Sequence, residues 1–403
     1  MKAAKTIAIL MALPLLLTCE LLSGPYDREN PKDPLNPNYA GWFGIRTVDS
    51  TGDVGQNPTL RVSGDNIFIS YFDQTNYDLK FARSTDGGTT FVTETVDDGG
   101  VNNLGYSSSL AIRPHSPAFD FTVVYRDDTA QDLKAKHWDA VLQNWELAPA
   151  GQPDRGASLV VEGCSIAAGT GTDQSYYASE CLDMGGDNNL YFIPSADGIS
   201  WGAPVVIDSG SSSDVGMFNS IAVSGEYVYV SFLDMYQTKV RLRHSDSSGT
   251  NLALPGSVTS VGTTAATLIP CTATAASGTN VHVAWFDGSN MRLSYSEDGG
   301  STFTAMNGYD RTVDTNGGSF PSIVVNGNRI YLSFVSNDFS GVIFKRSDDN
   351  ALTWAATKLF NPPGTTHAFT SLAVDGTNVY IAYYDATNGD LKVAKSIDNG
   401  DTW

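Results

Sequence analysis

Basic residues are scarce in this chain: 24 Lys and Arg stand against 44 Asp and Glu, a formal net charge of −20 at pH 7. No run of Lys or Arg concentrates what positive charge there is. Such a surface repels a phosphate backbone, which excludes nucleic acid as a partner, and it reads first as the solubilising exterior of an exported protein. Long apolar stretches of helical period are also missing after the first 25 residues or so, which argues against a helical fold. Cysteine is rare, with four in the chain. Cys164 and Cys181 flank GTGTDQ symmetrically, so a hairpin turning near Thr172 and Asp173 would set them opposite one another as a disulfide, with two reduced buried thiols as the alternative. Cys271 has no evident partner. A complete metal-loop pattern is lacking as well: DMGGDNN, Asp183 to Asn189, has oxygens suited to calcium but not the full spacing. No cofactor is therefore expected, with calcium the one cation the pattern leaves open.

What is present is 39 Gly, 18 Tyr and 18 Phe, with abundant Ser, Thr, Asn and Asp, the composition of many short strands joined by tight turns. At 403 residues and 41% hydrophobic, the chain can bury the large core of a barrel or propeller. The fold class is all-β. At the N-terminus, Lys2 and Lys5 precede an apolar stretch from Ile7 to Leu17, too short for a membrane span and read as an export signal. Leu16-Leu17-Thr18-Cys19 resembles a bacterial lipobox, which implies acylation of Cys19 and residence on the cell envelope, with Thr18 departing from the usual small residue. Residues 1–19 are thus a lipoprotein-type signal, 20–40 a Pro-rich tether, and 41–403 the folded domain.

That domain repeats. SIDNGDTW at Ser396 to Trp403 recurs as STDGGTTF (from Ser84), SADGISW (from Ser195), SEDGGSTF (from Ser296) and SDDNALTW (from Ser347). Weaker copies begin at His137 (HWDAVLQNW) and Ser245 (SDSSGTNL), so seven units follow at intervals of 49 to 58 residues. Each unit carries a short apolar run, a Gly turn, an alternating strand, a polar turn, a third strand and then the box, as in TSLAVDGTNVYIAYYDATNGDLKVAKSIDNGDTW. Adding one strand after the box makes four per unit, and the reading is a seven-bladed β-propeller of four-stranded antiparallel blades. Within the box the third-position Asp accepts backbone N–H bonds, the fifth-position Gly permits positive φ, and the closing Trp or Phe pins neighbouring sheets. Asp86, Asp139, Asp197, Asp298, Asp349 and Asp398 are the structural carboxylates. The last blade has no strand after Trp403, and WFGIRTV, Trp42 to Val48, is expected to supply it.

The box S-x-D-x-G-x-T-[WF] resembles the Asp-box, or BNR, repeat of the sialidase-like propeller superfamily. The resemblance implies that the boxes lie opposite the binding face. It also implies, for an active sialidase, three arginines that hold a carboxylate, a Tyr–Glu nucleophilic pair and an Asp acid/base. In GQNPTLRV, Gln56 stands where the first arginine would be, and Arg61 lies five residues on, inside the strand. Arg83, Arg243 and Arg346 lie immediately or nearly before boxes, on the wrong side, while Arg113, Arg126 and Arg155 carry no motif. Glu162 and Glu180 are the carboxylates of blade three's first strands. Glu180 beside Tyr176 and Tyr177 is a weak candidate for catalysis, as is Asp73, against a packing role for each.

On the face away from the boxes, Asp73, Asp127, Asp183, Asp234, Asp287 and Asp385 each follow an aromatic-rich strand end, with Ser336 in the sixth unit. They either ring a funnel that binds a cation or a sugar, or open Asx turns. Tyr106, Phe218, Phe320 and Phe369, with His367 nearby, precede the first strands and are expected to line the funnel, where aromatic faces stack on sugar rings. Their alternative is packing against the next blade. The functional expectation is a monomeric binding protein for a glycan or protein ligand, with a glycoside hydrolase or lyase, or an envelope scaffold, as the other readings.

Overall fold

A computed structural model of the chain describes residues 44–403 apart from 101–102, 116–117, 140–142, 148–152, 154–158, 170–174, 184–187, 210–214, 246–257, 265–271, 304–310 and 361–366. The signal, the tether, Cys19, Arg155 and Cys271 lie outside the described residues, as do the side chains of Glu162, Asp183 and His367.

Among the described residues, 28 strands form seven four-stranded antiparallel sheets, and no helix occurs. Six blades are consecutive in sequence: 54–97, 104–147, 159–209, 215–263, 272–314 and 322–360. The seventh takes three strands from 367–396 and its outermost strand, Gly44–Asp49, from the other end of the domain. Gly44, Ile45 and Arg46 pair with Lys395, Ala394 and Val393. This closure covers the edge that the last repeat would otherwise expose.

The second strand of each blade is buried along both faces, as NVYIAYYD at Asn378–Asp385 is after its first residue, because a blade has another blade on either side. The hydrophobic core is accordingly a set of clusters between blades. One joins Phe81 and Leu79 of blade one to Leu110, Phe121 and Tyr125 of blade two, and another joins Tyr331 and Phe344 of blade six to Leu372, Ile381 and Ala394 of blade seven. The closing aromatic of a box drives into such a cluster. Trp403 lies edge-on to Phe344 and Phe360, with centroids 5.0 and 4.6 Å away.

The boxes share one geometry. The Ser84 hydroxyl donates to Asp86 Oδ1 (2.7 Å) and accepts the Gly88 N–H (2.9 Å), while Thr90 donates its N–H to Oδ1 (2.9 Å) and its hydroxyl to Oδ2 (2.7 Å) of Asp86. Asp298, Asp349 and Asp398 repeat the pattern with Thr302, Thr353 and Thr402. Asp197 takes the N–H groups of Ile199 and Ser200 in a shorter loop (2.8 and 2.6 Å). Asp139 ends a strand in the degenerate second copy, where its carbonyl accepts the Gln143 N–H (2.8 Å). These bonds to the ionised form hold Asp86 and Asp349 down at about 2.

Of the two readings of Cys164 and Cys181, the pair of buried thiols holds and the disulfide does not form. The two strands pair as a hairpin with Ala168 opposite Tyr176, but Cys164 is opposite Glu180, one residue short of Cys181. Successive side chains leave a strand on opposite faces. Cys164 Sγ therefore meets the Ser107 carbonyl of blade two (3.3 Å), and Cys181 Sγ meets the Val215 carbonyl of blade four (3.4 Å), across the full thickness of blade three.

Candidate functional site

On the side opposite the boxes, the first strands of the blades open onto an axial pocket of about 360 Å³. Its lining includes Asn57, Tyr106, Phe218, Phe320 and Phe369, together with Asn219, Thr272 and Thr370. The expected funnel aromatics thus converge on one mouth. His367 is the first residue of blade seven's inner strand, paired with Asp385.

The way the aromatics reach the mouth was not legible in sequence. Asn57, Phe218, Phe320 and Phe369 all have positive φ, between 48° and 57°. They occupy one position of the repeat, where blade three has Gly163 at φ 94°. At this position the inner strand slips register with its neighbour, between Gln56 and Thr59, Met217 and Ser220, and Ala368 and Thr370. The left-handed conformation costs a bulky residue on the order of 1–3 kcal/mol and persists only where the surroundings over-determine it. Here the next blade supplies the restraint. Thr272 Oγ1 donates to the Phe218 carbonyl (3.0 Å), Thr370 Oγ1 to the Phe320 carbonyl (2.9 Å), and Asn219 Nδ2 to the Gly163 carbonyl (2.8 Å). The outcome is a bulge that turns a side chain off the sheet and into the mouth. The rings of Phe320 and Phe369 meet there with centroids 4.3 Å apart, and Tyr106 stands edge-on to Phe72 at 5.8 Å.

No charged side chain lines this pocket among the described residues. Its polar groups are amides and hydroxyls, and Cys164 at its wall is inert, since burial, reinforced by the nearby Glu180 carboxylate, pushes the thiol up to about 12.

The ring of aspartates does not serve the pocket. Asp73 Oδ1 accepts the N–H groups of Thr75 and Asn76 (2.9 and 3.0 Å), and Asp127, Asp234, Asp287 and Asp385 cap their own turns likewise. Each is also neutralised by a cation on the third strand: Lys134 for Asp127, Arg241 for Asp234 (2.7 Å), Arg292 for Asp287 (2.5 Å) and Lys392 for Asp385, with Lys80 at 3.9 Å from Asp73. The cation stands seven residues after the Asp in four of these five blades, and blade six lacks both, with Ser336 and Ile343. That covariation inside the repeat was a readable sign of an ion pair. Asp183 departs from the others: blade three's hairpin is one residue longer on each strand, since Tyr176–Ser195 matches Ile67–Ser84 at the box end. Among the described residues no cluster of His, Cys, Asp and Glu is arranged to hold a metal.

Glu180 and its proposed tyrosines are likewise apart. Tyr177 leaves the opposite face of the strand and joins blade four's cluster, while Tyr176 lies four residues away at the box end, where the Arg113 guanidinium covers its ring at 5.0 Å. By register Glu180 takes the place held by Tyr71, Tyr125, Phe232, Trp285, Phe334 and Tyr383 in the other blades, and it is fully buried between blades. The remaining arginines also face structural partners: Arg113 pairs with Asp120 (2.8 Å), Arg126 with Asp128 (2.5 Å), Arg243 with Asp208 (3.8 Å) and Arg346 with Asp348 and Asp401 (3.1 and 3.0 Å), while Arg83 covers the Trp138 ring at 5.3 Å.

No protein-family model matches this chain, and no curated protein does. Solved structures match it as propellers. The polysaccharide lyase Uly1 is 10% identical over 88% of this chain and 91% of that one, with a TM-score of 0.54. The lectin of Aleuria aurantia, solved with alpha-methyl-L-fucoside, is 11% identical over 77% of this chain and 97% of that one, with a TM-score of 0.51. A leech intramolecular trans-sialidase, 13% identical over 90% of this chain and 71% of that one, has a TM-score of 0.49. At these identities the likeness is one of fold.

Proposed function

We propose that this chain is an exported Asp-box propeller that binds a neutral glycan at the axial pocket opposite the boxes. One observation carries the reading: bulky aromatic residues hold a costly left-handed conformation at the same repeat position around one mouth. Backbone strain of that kind is retained where the side chain it presents has a use. Aromatic faces beside amides and hydroxyls, without a charged group among the described lining residues, match the apolar face and hydroxyl rim of a sugar ring. A sialic-acid specificity is disfavoured because Gln56 replaces the expected arginine and no arginine triad lines the mouth among the described residues. A lectin and a polysaccharide lyase on the same fold class support a carbohydrate ligand. Anchoring through an acylated Cys19 on a bacterial envelope, as a monomer, belongs to the same proposal.

A glycan array with the purified domain, followed by titration of the best ligand, tests it. Phe320→Ala and Phe369→Ala are each expected to weaken binding by roughly tenfold, the scale of one aromatic stacking contact. Unchanged affinity in both variants sinks the pocket assignment. Turnover of a bound oligosaccharide would replace the binding reading with the hydrolase or lyase one.

A further inference from the structure

Below the aromatic mouth the axis continues into a channel of about 450 Å³, walled by the first strands. Among its described lining residues one is charged: Arg61. The same repeat position holds Ala111, Ala167, Ala222, Ala275, Val324 and Ala373 in the other blades, as the strand registers align them. Of these, Val324 and Ala373 line the channel with Arg61. Arg61 donates to its neighbour's carbonyl, Leu60 (2.9 Å), and forms no ion pair with a described residue. In a chain of net charge −20, where Arg113, Arg241 and Arg292 each find a carboxylate, this one faces the channel. Burial alone lowers its pKa to about 10, so it stays charged at neutral pH.

Two residues up the strands, a ring of hydroxyls faces the same space. Ser109, Ser165, Ser220, Ser322 and Ser371 each accept a backbone N–H from the following blade, at 2.9 to 3.1 Å. A serine hydroxyl that accepts through oxygen still has its proton to donate. The channel therefore offers a cation and several O–H donors, and no carboxylate among its described lining residues.

We infer that this channel is an anion site, in which Arg61 and the serine ring hold a small oxyanion: a carboxylate, sulfate or phosphate group. The planar guanidinium fork suits two oxygens of such a group, and the surrounding hydroxyls take the rest. Arg61 is four residues along the strand from Asn57 at the mouth, roughly 13 Å at strand rise. The site is thus separate from the stacking pocket, though open to it through Thr59 and Thr272, which line both. The oxyanion arrives either free from solution, below a neutral glycan at the mouth, or as the acidic substituent of a ligand that takes that glycan's place. This inference goes beyond the glycan reading and stands on other residues.

The test is thermal unfolding of the folded domain in sulfate, phosphate and acetate at constant ionic strength, comparing wild type with Arg61→Gln and Arg61→Lys. Wild type should gain Tm in proportion to the logarithm of anion concentration once that exceeds the Kd. Arg61→Gln should lose that dependence, and Arg61→Lys should keep it with about tenfold weaker apparent affinity. Equal anion dependence in wild type and Arg61→Gln overturns the site. If Arg61→Gln does not fold, calorimetric titration of wild type with sulfate decides, since absence of saturable binding also overturns it. Competition between sulfate and an acidic oligosaccharide identifies the ligand's own acid group as the source, and additive binding identifies a free anion; both support the site. Loss of sulfate binding in Arg61→Gln with neutral-glycan binding intact separates this inference from the reading of the mouth.

Discussion

The two faces of the propeller use the same backbone conformation for opposite purposes. At the boxes, positive φ falls on Gly88, Gly300 and Gly400, and on Asn350 and Ala351 in blade six, residues that take it at little or moderate cost and whose side chains, where present, serve packing, as Ala351 does in an inter-blade cluster and Asn350 does beside His282 (3.0 Å). At the mouth it falls on Phe218, Phe320 and Phe369, residues that take it badly. At these boxes the conformation falls mostly on residues that fit it; at the mouth it falls on bulky rings, and hydrogen bonds from the next blade restrain the carbonyls of Phe218 and Phe320. Carboxylates divide in the same way. Box and turn aspartates are consumed by their own loops, and the axis is left without any among the described lining residues.

The largest effect that would test this contrast comes from the closure on which both faces depend. Deletion of residues 40–50 removes the outer strand of blade seven and is expected to abolish the cooperative unfolding transition seen by circular dichroism. A retained transition with slight fraying would mean that the ring holds without its clasp.

Next in size is a pair of exchanges at positive φ. Gly400→Ala sets a Cβ 2.3 Å from a Phe344 ring carbon at φ 87° and should cost about 1–3 kcal/mol in denaturant melts. Phe320→Gly relieves left-handed strain of roughly 1–2 kcal/mol while losing the contact with Phe369, so its stability should change little or rise as glycan binding falls. A marked loss of stability in Phe320→Gly would make the mouth aromatics part of the core and remove their functional reading.

The smallest effect is the acid limb of stability. Asp86 and Asp349 are held at about 2 against an ordinary 3.8. A carboxylate depressed on folding stabilises fully above its unfolded value, and that contribution is lost as pH falls through its folded one. Thermal stability should therefore decline between about pH 4 and pH 2, and Asp86→Asn or Asp349→Asn should flatten that decline. A decline of the same slope in both variants would place the acid-sensitive groups elsewhere.

Much of this architecture was readable from recurrence. The box spacing announced seven blades, the orphan box at Ser396 called for a strand such as Gly44–Asp49, and aromatics before first strands pointed to the mouth. What escaped were matters of parity and register. Cys164 and Cys181 missed one another by a single residue, since a one-residue shift sends a side chain through the sheet to the other face. Glu180 looked like a partner for Tyr177 because the two are close in sequence, yet one faces blade two and the other blade four. The aspartates looked like a funnel ring until five of the six were found against a cation on their own hairpins.

From sequence alone, then, came the repeat, its strand count and the roles of the box residues, because these are short-range patterns in which turn chemistry and two-residue alternation are written locally. Only the tertiary structure decided what reaches the axis. Whether Phe320 packs between blades or turns into the mouth depends on a bulge restrained by Thr370, 50 residues on. Whether Arg61 is one charge among many or the only one among the described residues of the channel wall depends on the other inner strands, which meet around the axis only when the ring has closed.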